Sequence, residues 1–71
     1  MLDNPEQYIN HKVLVKRGPY EVTGIVRKIE LSVITGATIV YLSSVIECLT
    51  NDWIGDVDIV WQKEYTIGII E

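Results

Sequence analysis

Between residues 28 and 33 the chain reads Lys28-Ile29-Glu30-Leu31-Ser32-Val33, with polar and apolar side chains in strict alternation. A period of two belongs to a strand with one wet face and one dry face, because successive side chains point to opposite sides of a pleated backbone. The apolar residues of the whole chain support the same reading. Ile is the commonest residue, Val follows, and Phe is absent. β-branched side chains are stiff at χ1 and pack well on a pleated surface, so the chain is expected to be mainly β.

Gly, Pro and Asn divide the sequence into short segments. Asn4-Pro5-Glu6-Gln7 reads as a helix start, with Asn4 as N-cap, Pro5 at the first helical position and Gln7 at the capping-box position. Asn10 tolerates a left-handed stop, which leaves one helical turn over 5–9 with Tyr8 and Ile9 packed inward. A first strand starts at Val13, and Arg17-Gly18-Pro19-Tyr20 turns it. A second runs over 21–33, with Gly24 marking a bulge or a sharp bend. Thr35-Gly36 is the next turn. A third strand is expected over 37–42 and a fourth within 43–49, with helix as the alternative there. Residues 51–56 read as a loop, 57–62 as a fifth strand, Lys63-Glu64 as a tight connection, and Tyr65–Ile70 as the segment that closes the sheet.

All this fits one domain over residues 1–71. A chain of this size buries only about 60% of its unfolded surface, so its stability is marginal. Strands joined locally favour an antiparallel meander, and closure into a small barrel removes edges that would otherwise aggregate. Five to six antiparallel strands and one short N-terminal helical turn are expected.

Residues 13–29 carry a more specific pattern: Val13-x-Val15-x-x-Gly18-Pro19-Tyr20, then Gly24-Ile25-Val26, then Ile29. This resembles the KOW motif of SH3-like barrels, a strand, a Gly-led turn and a Gly-hydrophobic second strand, although one residue fewer than usual separates Gly18 from Gly24. The resemblance implies an SH3-like barrel with Val13, Val15, Val26 and Ile29 in its interior. It also implies what KOW domains often do, which is contact RNA, ribosomes or transcription machinery. The acidic RT loop and aromatic strand of peptide-binding SH3 domains are missing, so proline-rich peptide binding is not expected.

Net charge is −4, but it is unevenly divided. Five of the six cationic side chains, Lys12, Lys16, Arg17, Arg27 and Lys28, fall in 12–28, whereas Lys63 stands alone against seven carboxylates in 29–71. The basic hairpin suggests a phosphate-binding patch of Lys12, Lys16, Arg17, Arg27 and Lys28, with Tyr20 available to stack on a base. Two facts weigh against it. The acidic remainder repels a polyanion, and phosphate contacts supply most non-specific affinity. Arg27 and Lys28 are also adjacent in a strand, so they are expected on opposite faces.

Catalysis is not expected. His11 is the only histidine and Cys48 the only thiol, and Cys48 lies in an apolar stretch that predicts a buried, inert side chain. His11 is expected at the surface. One cysteine excludes an internal disulfide and a Cys-based zinc site, so a reducing, cytoplasmic setting is the default. Asp52, Asp56 and Asp58 lack the ligand spacing and terminal glutamate of a calcium loop. No cofactor, metal or membrane segment is expected.

Excess apolar surface points elsewhere. In 37-ATIVYL-42 and 45-VIECL-49 both faces of the strand carry apolar side chains, and a barrel this small has an interior for one of them. The other is expected to meet a protein partner or a second copy of the chain. Tyr41, Val45, Trp53 and Ile54 are the candidate contact residues, although Trp53 reads equally well as a lid on the barrel. The apolar 65-YTIGII-70, followed only by Glu71, needs a partner strand, in its own barrel or in a homodimer or larger oligomer. The expected function is therefore a non-catalytic protein-binding module. Small acidic chains of this kind are often adaptors or inhibitors, including those encoded by phages and mobile elements. The alternative is nucleic-acid or ribonucleoprotein binding through the hairpin.

Overall fold

A computed structural model describes Leu2 and residues 4–71. The chain is mainly β, with a single 3-10 turn, Pro5–Tyr8, ahead of five strands. These are β1 (Lys12–Arg17), β2 (Tyr20–Leu31), β3 (Thr38–Glu47), β4 (Trp53–Val60) and β5 (Thr66–Ile69). They form one antiparallel sheet in the order β4-β3-β2-β1-β5.

A flat single sheet cannot bury its own face, yet Val13, Val15, Val22, Val26, Val40, Leu42, Val45 and Ile59 form one buried cluster. Members of that cluster come from β1, β2, β3 and β4, so the sheet curves around them, an arrangement compatible with a small barrel-like fold. Tyr8, Ile9 and Leu2 pack against the cluster from the N-terminal segment, and Trp61, Tyr65 and Ile67 from the C-terminal one. The curl comes from long, bent strands. Gly24 opposes the bulge of β3, where Ser44 takes a left-handed φ of 55°. A Cβ on Gly24 would lie 3.0 Å from Val45 Cγ2, tighter than an ordinary van der Waals contact, so glycine relieves crowding where the two strands approach. A left-handed φ of 57° at Gly18 makes the β1–β2 turn, as a Gly-led hairpin requires.

The N-terminal turn is present, though Asn4 does not cap it as expected. Asn4 is itself left-handed and its side chain makes no capping hydrogen bond. Asn10 takes the expected left-handed conformation. Two segmentations differ from the sequence reading. The separate segments expected over 37–42 and 43–49 are joined in one strand, β3 (Thr38–Glu47), because the bulge at Ser44 bends the backbone without ending it. The expected loop 51–56 already belongs to β4 from Trp53 onward. In addition, β2 stops at Leu31, and Val33 and Ile34 stand 93% exposed in the connection to β3. β5 pairs with β1, but β4 and β5 do not pair with each other, so among the described residues each leaves one edge unpaired.

Candidate functional site

Register decides which side chains share the outer surface. Trp53 pairs with Ile46, Ile46 with Thr23, Thr23 with Leu14, and Leu14 with Gly68. Directly opposed residues in a sheet point to the same side. This row therefore crosses all five strands on the outer face. Trp53, at 67% exposure, stands at one end of it, with Ile46 and Leu14 partly covered further along. Ile54, the extra residue of a bulge between Trp53 and Gly55, is exposed beside it.

A second outer row joins Lys28, Tyr41 and Asp58. The Tyr41 hydroxyl donates to Glu30 Oε1 at 2.9 Å, and the Lys28 ammonium lies 5.0 Å from the Tyr41 ring centroid and 3.5 Å from Glu30 Oε2. The Tyr41 hydroxyl, and next the Lys28 charge, hold the Glu30 carboxyl below its ordinary range. The same hydrogen bond raises Tyr41. Val45 does not belong to either row. It is fully buried, because the bulge at Ser44 returns it to the inner face, so it cannot act as a surface contact.

The basic residues separate into two groups. Arg27 is the extra residue of a β2 bulge, between the pairs Val26–Leu42 and Lys28–Tyr41. Its Nε donates to Ser43 Oγ at 2.8 Å, and Ser43 is on the same face as Tyr41. Arg27 and Lys28 therefore share the outer face, contrary to the alternation expected of a regular strand. Lys12 and Lys16 lie on that face as well, flanking Leu14 on β1. Arg17 does not. Its guanidinium is 5.3 Å from the Tyr65 ring centroid at the C-terminal end of β1, where Tyr65 also meets Trp61 at 5.0 Å. Tyr20, opposite Arg17, is near this end, and burial followed by the neighbouring Tyr65 and Glu47 raises its hydroxyl above the ordinary range.

Cys48 is exposed, not buried, since it follows the end of β3. Partial loss of water, then Glu21 and Glu47, push its thiol up, the opposite of what a nucleophilic cysteine needs. His11 is exposed, with Nδ1 3.3 Å from the Glu71 carbonyl oxygen. Among the described residues no three His, Cys, Asp or Glu side chains gather as a metal site would require. Also among them, no helix is long and apolar enough to cross a membrane.

Sequence reasoning missed Glu47. Its carboxylate accepts from the Leu49 and Thr50 amides at 3.1–3.2 Å and fixes the β3–β4 connection. A carboxylate three residues before a Thr-Asn pair was the only available signal. Comparison with protein-family models, with curated proteins and with solved structures returns no match to this chain.

Proposed function

We propose that this chain is a non-catalytic protein-binding module that engages a protein partner through the outer face of its sheet. The observation that supports this is the outer-face row Trp53–Ile46–Thr23–Leu14, exposed at Trp53 and partly covered at Ile46 and Leu14, with Ile54 beside it and Tyr41 on the neighbouring row. Large aromatic side chains bordered by partly covered aliphatic ones are where interface energy concentrates. A small adaptor or inhibitor of the phage or mobile-element type is the biological class that fits. Kinship with SH3-like barrels carrying a KOW-like hairpin is part of the same reading. It is supported by the left-handed Gly18 turn, the close approach at Gly24, and the burial of Val13, Val15 and Val26.

Nucleic-acid binding is the second reading, favoured by the bulge that turns Arg27 onto the face of Lys12, Lys16 and Lys28. Glu30 offsets part of that charge through Lys28, and Glu21 stands opposite Lys16. Two variants separate the readings: Trp53→Ala, and Lys12→Glu combined with Arg27→Glu. The protein-binding reading expects a partner held by the wild-type chain to bind Trp53→Ala about tenfold more weakly or worse, and the charge-reversed chain unchanged. A partner indifferent to Trp53→Ala and lost on charge reversal would overturn it.

A further inference from the structure

The two unpaired edges of the sheet are built differently. β4 carries the usual protections: a bulge at Ile54 and the exposed carboxylates Asp56 and Asp58. β5 carries none. Thr66-Ile67-Gly68-Ile69 has no charge and no proline, and its register with β1 runs without a bulge.

The main-chain groups of β5 can be assigned to sides. The Ile70 amide donates to the Lys12 carbonyl at 2.9 Å. Antiparallel ladders alternate, so Thr66 and Gly68 also bond toward β1, whereas the N–H and C=O of Ile67 and Ile69 face away from it. Ile67 packs against the core, and Ile69, on the same inner side, remains 45% exposed.

Gly68 is the remaining oddity. Glycine inside a strand weakens it and marks a bulge, a bend or the close approach of another backbone. Here there is no bulge, its φ is not positive, and a Cβ would meet nothing within 4 Å. Nothing in the chain's own packing calls for glycine at this position.

We propose that β5 pairs antiparallel with β5 of a second copy of this chain, across a two-fold axis through Gly68. The sequence Ile67-Gly68-Ile69 is palindromic. The two-fold sets Ile67 opposite Ile69 of the second copy, and the N–H and C=O of each then meet the C=O and N–H of the other. Both isoleucines face inward, so the apolar layers of the two sheets become continuous and cover the open flank of Ile69. Pairing of β4 with a second β4 would instead place Asp56 and Asp58 of both copies on one face, and like charges across a ladder are destabilising. The proposal goes beyond the reading of the outer face, because it uses an edge that Trp53 does not border.

The test combines solution mass with amide exchange. The wild-type chain is expected to pass from monomer to dimer as concentration rises, with slower exchange at Ile67 and Ile69 in the dimer. Ile69→Lys and Ile69→Pro are expected to stay folded and monomeric, because they add a charge or remove an outward N–H without touching the β1 ladder. Asp58→Lys, on the other edge, is expected to dimerise as the wild type does. Any of three results would overturn the proposal: a wild-type monomer at NMR concentrations, a dimer that survives Ile69→Pro, or a dimer lost in Asp58→Lys.

Discussion

Gly24 and Val45 approach so closely that a Cβ on the glycine would lie 3.0 Å from Val45 Cγ2 and 3.3 Å from the Ser43 carbonyl oxygen. One neighbour is a fully buried valine and the other is backbone, so neither can yield cheaply. Gly24→Ala is therefore expected to destabilise the fold by roughly 1–3 kcal/mol, as overpacking does. Gly68→Ala, with open space around its Cβ, is expected to leave the monomer as stable as the wild type or slightly more so. Urea unfolding of the two variants at low protein concentration checks the contrast.

Burial separates two valines that look alike in sequence. Val45 is sealed in the core, and Val33 is 93% exposed. Val45→Ala is expected to cost roughly 2 kcal/mol through lost transfer energy and a residual cavity. Val33→Ala is expected to stay within about 0.5 kcal/mol of wild type. Thermal melts of both variants decide the point.

Glu30 titrates below its ordinary range, first because the Tyr41 hydroxyl donates to it and then because of Lys28. A carboxyl with a depressed folded-state pKa stabilises the fold above its unfolded pKa, and that stability is lost as pH falls through the folded value. Tyr41→Phe removes the leading cause, so the Glu30 carboxyl is expected to titrate higher, toward the ordinary glutamate range. In the variant this contribution should be smaller and its loss complete at a higher pH than in wild type. NMR titration of the Glu30 side-chain carbons reads the shift directly.

Cys48 is exposed but has a raised pKa, from partial loss of water and from Glu21 and Glu47. Its alkylation at neutral pH is expected to be slower than that of a free thiol, and to accelerate as pH rises past the ordinary thiol range. Glu47→Gln is expected to speed the neutral-pH reaction by removing one of the two carboxylates. A rate of alkylation against pH measures both effects.

How far the sequence disclosed this molecule depended on how local each signal was. Gly18-Pro19 and the valines of β1 and β2 act through their immediate neighbours, and the structure places them as the pattern implies, whereas the period-two run 28–33 keeps only Ile29 covered, with Leu31 60% exposed and Val33 beyond the end of β2. Gly24 marked an irregularity in β2, but which residues are the extra ones was not legible, because an extra residue on one strand is defined by the partner opposite it. The chain therefore read as broken between Leu42 and Ser43, Val45 as a surface residue, and Arg27 as facing away from Lys28. Cys48 failed for a related reason. Its apolar surroundings in sequence, Ile46 and Leu49, lie on either side of the point where β3 ends and the chain turns outward. Trp53 was legible as a contact residue or, equally, as a lid, and its exposure and its alignment with Ile46, Thr23 and Leu14 needed the register of four strands.

Light scattering across a concentration series, at low and high salt and with and without a generic single-stranded oligonucleotide, tests the central claim that this chain works through apolar protein contacts. The account predicts a dimer that forms with concentration, persists at high salt and ignores the oligonucleotide. A chain that stays monomeric throughout and gains mass with the oligonucleotide only at low salt would contradict it, and would move the site to Lys12, Lys16, Arg27 and Lys28.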